Sequence, residues 1–90
     1  MNTLTVKTAE QVRAKSVRFT NGVLRVGLDD GREIGLRLNE APWLKWLAKA
    51  TRKQRANWVI EPRGFAIYWP DLDDGIEVCH LLDHSALRAN

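Results

Sequence analysis

From Val23 to Leu38 the chain alternates apolar and polar positions in two runs. In the first, Val23, Leu24, Val26 and Leu28 are apolar, with Arg25 and Gly27 between the later ones; in the second, Ile34, Leu36 and Leu38 alternate with Gly35 and Arg37. A period of two places every second side chain on the same face of a strand, so each run predicts a strand with one buried face. Asn21-Gly22 precedes the first run and Asp30-Gly31 separates the two. Both dipeptides tolerate the positive φ of a type I′ turn and predict hairpins. Upstream, Val12, Ala14, Val17 and Phe19 keep a less regular rhythm, which a bulge near Lys15-Ser16 reconciles with a strand. A three-stranded antiparallel meander over residues 11–38 follows.

The period then changes. Asn39 is suited to cap a helix by accepting from a free backbone amide, and Pro42 suits a first turn, where its missing N–H costs nothing. Trp43, Leu47 and Ala50 share one helical face, Leu44 and Trp46 widen it, and Lys45 and Lys49 point away together. Thr51 followed by Gln54 has the spacing of a capping box, so the helix is expected to kink and restart there. Trp58-Val59-Ile60 and Phe65 to Trp69 read as strands around the turn Pro62-Arg63-Gly64, and Pro70 ends the second ladder. Asp71 to Gly75 reads as a polar loop, Ile76-Glu77-Val78 as a short strand and Leu81-Leu82 as a closing turn. The fold class expected is α+β, β-β-β-α-β-β with a short final strand or turn. A sheet of four to six antiparallel strands would pack on one kinked helix. A single domain over 11–82 and partly flexible tails at 1–10 and 83–90 complete the expectation.

Composition narrows the picture. Ninety residues, 44% hydrophobic and 28% charged, describe one soluble globular domain. No apolar run has the length of a membrane span and the first residues lack a secretory signal's apolar stretch. One cysteine, Cys79, excludes an intrachain disulfide. A cytoplasmic setting is expected. The net charge of +3 is unevenly spread. Lys45, Lys49, Arg52, Lys53, Arg55 and Arg63 have Glu61 as the only acid among them, whereas Asp71, Asp73, Asp74, Glu77 and Asp83 follow with no base between.

Little of this carries reaction chemistry. Asp71-x-Asp73-Asp74 does not fit the spacing of a twelve-residue calcium loop, and its carboxylates are expected to shape a turn. Cys79 and His80 point apart if extended, and His80 with His84 gives two metal ligands without a third. No phosphate loop or nucleophile signature occurs, so no enzyme activity, cofactor or metal is expected. Trp43, Trp58 and Trp69 read as core, and Trp46, between two lysines, as partly exposed.

The segments AKSVRF, LRVGLDDGREIGLRL, ATRKQRANW and AIYWPDLDDGIEVCHLL together resemble the domain-of-unknown-function family 2442 of small bacterial proteins, over roughly residues 12–82. Gly75 and Cys79-His80 depart from its pattern, in which an acid and a smaller Glu-Gly step stand. The resemblance implies a small α+β fold and a non-enzymatic module. It also implies company, because members are often encoded beside a small protein of unknown-function family 4160 and some are fused to a helix-turn-helix. The first functional expectation is therefore a protein–protein interaction module, antitoxin-like or regulatory, partnering a small protein from an adjacent gene. Asp71, Asp73 and Asp74 would meet a basic partner, with Tyr68 and Trp69 as aromatic anchors. The alternative is a nucleic-acid-binding domain using Lys45, Lys49, Arg52, Lys53 and Arg55. A third reading is a small inhibitor from a phage or mobile element. A homodimer covering a sheet edge is compatible with all three.

Overall fold

Alternation from Ala14 onward becomes three paired strands in the computed structural model, which describes residues 11–88 and side chains through 83. Strands β1 (Ala14–Thr20), β2 (Val23–Leu28) and β3 (Glu33–Arg37) form the antiparallel meander β1-β2-β3. Leu24 faces Leu36 and Val26 faces Ile34, so cross-strand apolar pairs line the buried face. The register of β1 slips between Ala14 and Ser16, which pair with Leu28 and Gly27; Lys15 is the extra residue of the expected bulge.

The two hairpin turns differ. Asn21 and Gly22 both have positive φ, 50° and 77°, as a two-residue type I′ turn requires. At the second turn only Gly31 does, with φ 92°. The Leu28 amide donates to the Arg32 carbonyl and the Gly31 amide to the Leu28 carbonyl, making a three-residue loop with its glycine in the left-handed position. Asp29 explains the longer loop: its amide donates to the Arg13 carbonyl and its carboxylate accepts from the Arg13 amide, tying the turn to the start of β1.

After β3 the chain makes two short 3-10 turns, Leu38–Glu40 and Pro42–Leu44, before helix α1 (Lys45–Ala48). Asn39 does not cap. It lies inside the first turn, and Ala41 stands before Pro42 with no side-chain cap. Burial of Leu38 and Ala41 draws the chain into the tight turn and leaves Asn39 in solvent. Helix α2 (Arg52–Ala56) starts with the expected capping box: the Gln54 amide donates to Thr51 Oγ1 at 3.1 Å and the Thr51 amide to Gln54 Oε1 at 2.9 Å. The kinked helix is thus two short helices hinged at residues 49–51.

Strands β4 (Val59–Ile60), β5 (Ala66–Trp69) and β6 (Asp74–Glu77) make a second antiparallel sheet, β4-β5-β6. The six strands therefore form two sheets, where one sheet of four to six was expected. The sheets meet where the Ala14 amide donates to the Gly64 carbonyl at 2.7 Å and the Arg13 guanidinium lies over the Phe65 ring. The bulge beside Ala14 breaks the regular spacing of edge donors, and β4 offers only two residues, so the contact does not extend into a ladder. Leu81-Leu82, expected as a closing turn, belongs to helix α3 (Val78–Arg88), whose Val78, Leu81 and Leu82 are buried at i, i+3 and i+4 spacing. Of the expected tails, residues 83–88 belong to α3 and extend the domain past 82, while residues 1–10 and 89–90 lie outside the described ones. Buried side chains of both sheets and of α1 and α3 form one core, with Leu24, Leu44, Leu47, Ile67, Trp69 and Leu81 at its centre.

Candidate functional site

Two of the five residues expected at a partner surface part company in β5. Alternation sends Trp69 inward, where it has no exposed surface, and leaves Tyr68 half-buried on the other face. Trp69 packs edge-on against Phe19 and Trp46, and its Nε1 donates to the Arg55 carbonyl at 3.0 Å. Trp69 consequently cannot anchor a partner in the folded chain. It is the core residue that its periodicity also suggested.

Local and longer-range hydrogen bonds hold the acidic loop. Pro70 opens a 3-10 turn, Pro70–Leu72, and Asp73 closes it with left-handed backbone, φ 48° and ψ 44°. Asp71 Oδ2 accepts from Asn57 Nδ2 at 3.1 Å, joining the loop to the end of α2. Asp73 Oδ1 accepts from the Tyr68 hydroxyl at 2.6 Å, and Asp74 Oδ1 from the Gly75 amide at 2.8 Å. All three carboxylates stay exposed, and only Asp74 bonds a backbone amide as the turn-shaping expectation required; Asp71 and Asp73 bond side chains instead. Gly75, where the family resemblance pointed to an acid, lies against β5: a Cβ there would sit 2.6 Å from the Ile67 carbonyl oxygen. Backbone crowding, and not loop chemistry, selects the glycine.

Hydrogen bonding to Asp73 holds the Tyr68 phenol above its ordinary value of 10.0, and desolvation and the charges of Asp73 and Asp74 act in the same direction. Tyr68 is the only tyrosine, so its ionisation can be followed by ultraviolet absorbance without overlap. We expect an alkaline midpoint above 10.0 that falls in Asp73→Asn. The folded state keeps the proton more tightly than the unfolded chain. Its stabilising effect is therefore complete below the unfolded value and fades as pH rises through the folded one. An unchanged midpoint in Asp73→Asn would contradict the assignment.

Beside this loop lies a groove of about 440 Å³ whose lining includes Trp43, Trp46, Asp74, Glu77 and His80. The indoles arrive from the start of the kinked helix, the carboxylates from β6 and the imidazole from the first turn of α3. Both tryptophans are half-buried and both carboxylates exposed. Trp46 Nε1 donates to the Trp43 carbonyl at 3.1 Å, and His80 meets the Trp43 ring edge-to-face at 4.8 Å. The groove thus joins aromatic surface to negative charge. Sequence reasoning missed Trp43 and Glu77 as site residues, because only the return of β6 alongside the helix start brings them together. The partial exposure of Trp46 between Lys45 and Lys49 was the one legible signal.

The basic series separates as well. Lys45, Lys49, Arg52 and Lys53 are exposed, but Arg55 is committed to the fold. Its Nε donates to the Leu47 carbonyl at 3.1 Å and its second guanidinium nitrogen to the Ala48 carbonyl, satisfying the open end of α1. Arg55 is thus unavailable as a mobile phosphate contact. Cys79 is a free thiol, half-buried in α3; the His84 side chain lies outside the described ones. Among the described residues no three His, Cys, Asp or Glu side chains converge on a metal position, and no helix is long and apolar enough to cross a membrane.

Comparison with curated proteins finds no match, and none is found among solved structures. A family model described as protein of unknown function (DUF2442) matches residues 14–86, from the first residue of β1 to within the last turns of α3. Its span takes in both sheets, the kinked helix and every residue of the aromatic–acidic groove. The chain belongs to the DUF2442 family.

Proposed function

We propose that the chain is a non-enzymatic, cytoplasmic interaction module that receives a basic side chain of a partner protein in the groove of Trp43, Trp46, Asp74 and Glu77. One observation carries the reading: two half-buried indoles and two exposed carboxylates line the same concavity. A guanidinium or ammonium group gains from an indole face and from a carboxylate together, and neither kind of group alone would distinguish a cation so well. The exposed Asp71 and Asp73 add negative charge nearby, which favours the approach of a basic partner. A small protein encoded by an adjacent gene, held in an antitoxin-like or regulatory complex, is the partner this reading points to.

The test follows tryptophan fluorescence while an arginine-rich peptide is titrated, with a glutamate-rich peptide as control. The basic peptide is expected to give a saturable change that the acidic one does not. Replacing both carboxylates, Asp74→Asn with Glu77→Gln, should weaken binding about tenfold, the sum of two exposed charge contacts. Equal affinity for both peptides, or a double variant that binds like the parent, would overturn the reading.

A further inference from the structure

A second groove, of about 450 Å³, lies between the Asn21-Gly22 turn and α2 and has the opposite character. Arg18, Arg52 and Arg55 line it together with Phe19 and Trp58, and no carboxylate does. A neighbouring groove of about 510 Å³ shares Arg18 and Asn21 and adds Arg25 and Arg37, again without a carboxylate in its lining. The two make a continuous concave band around one turn with five arginines along it. Glu33 engages Arg18 at 3.0 Å and Arg25 at 3.7 Å, and Glu40 lies 3.9 Å from Arg37, so two acids stand against five cations.

The cations are presented in different ways. Arg55 is a fixed charge, because carbonyls of α1 orient its guanidinium. Arg52 is exposed at the start of α2 and Arg18 keeps most of its side chain in solvent, 61%. Trp58 and Phe19 are half-buried, so aromatic surface and positive charge share one groove.

We infer that this band binds single-stranded nucleic acid, with phosphates on Arg18, Arg25, Arg37 and Arg52 and a base stacked at Trp58. A positive groove favours a polyanion of any kind. The addition of a half-exposed indole selects one with planar rings to stack, and only an unpaired strand frees its bases to do so. The band lies on the first sheet and α2 and does not involve Lys45 or Lys49. It is independent of the acidic groove, with which it shares no lining residue.

The experiment is fluorescence anisotropy of a labelled oligothymidylate of about 12 nucleotides over about 50–200 mM salt. The parent chain should bind at low salt, with a log–log salt slope of about −2 to −3 for three or four phosphates. Arg18→Ala with Arg52→Ala should make that slope shallower by about 1.4 and weaken low-salt binding, whereas Lys45→Ala with Lys49→Ala should leave both unchanged. Circular dichroism checks that each variant folds, and Arg52→Gln alone serves where the double change does not. Competition by polyglutamate at the same charge concentration would assign the band to acidic proteins and overturn the inference. Absence of binding at low salt would overturn it too, as would an arginine double variant that matches the parent.

Discussion

Trp69→Ala is expected to lower the unfolding free energy by about 3–5 kcal/mol, the range for emptying a fully enclosed aromatic site. The magnitude follows from what the indole joins. It sits in β5 with no exposed surface, meets Phe19 of β1 at a ring separation of 6.4 Å and Trp46 of α1 at 5.7 Å, and bonds the last turns of α2 through the Arg55 carbonyl. The first sheet, the second sheet and both halves of the kinked helix share this side chain. A domain of this size holds only about 5–10 kcal/mol in all, so the variant should be largely unfolded at moderate temperature. Trp69→Phe separates the contributions. It keeps much of the packing and leaves the Arg55 carbonyl without its donor, for an expected loss of about 1–3 kcal/mol. Urea denaturation followed by far-ultraviolet circular dichroism measures both. A loss below 1 kcal/mol for Trp69→Ala would mean that the three elements do not depend on it.

Gly64→Ala is expected to cost about 2–4 kcal/mol, from two causes that act together. Its φ of 79° lies in the left-handed region, which an L side chain rarely adopts, and its Cβ would meet Arg13 Cβ at 2.9 Å. Gly64 also accepts the Ala14 amide, the backbone bond that joins the two sheets. Moving it to relieve the clash therefore disturbs the junction. Gly22→Ala provides the control. Its φ of 77° is nearly the same, but nothing lies within 4 Å of its Cβ, so only the conformational cost of about 1 kcal/mol remains. The difference between the two variants, read from denaturation midpoints at equal slope, isolates the steric part. Equal losses would show that Gly64 is constrained by its backbone angles alone.

These two positions differ in how far they could be read in advance. Trp69 was legible as core, because it alternates with Tyr68 and shares a face with Ile67 in a strand that Pro70 ends. Its role as a junction was not, since Phe19 and Trp46 are remote in sequence. Gly64 was legible as a turn residue after Pro62-Arg63, but the proximity of Arg13 arises only when the second hairpin docks on β1. The acidic loop shows the same division. Asp71 and Asp73 announced a turn and lie in one, Asp74 already belongs to β6, and the groove beside them depends on two tryptophans some thirty residues upstream. In the basic series, Arg55 could not be told from Lys53 by charge. The carbonyls left open by a helix of only four residues draw it inward.

The sequence by itself determined the three strands of the meander, their hairpin positions, the bulge at Lys15 and the capping box at Thr51, but it placed the last strand at 76–78, whereas β6 runs over Asp74–Glu77 and Val78 opens α3. The features it determined rest on contacts between near neighbours or on a period of side chains, and such signals are written within a few residues. The tertiary structure decided that six strands divide into two sheets, that the end of the chain forms a helix, and which exposed side chains share a groove. Those outcomes turn on pairings between distant segments, where one bulge or one buried ring selects among arrangements that local preference leaves equal.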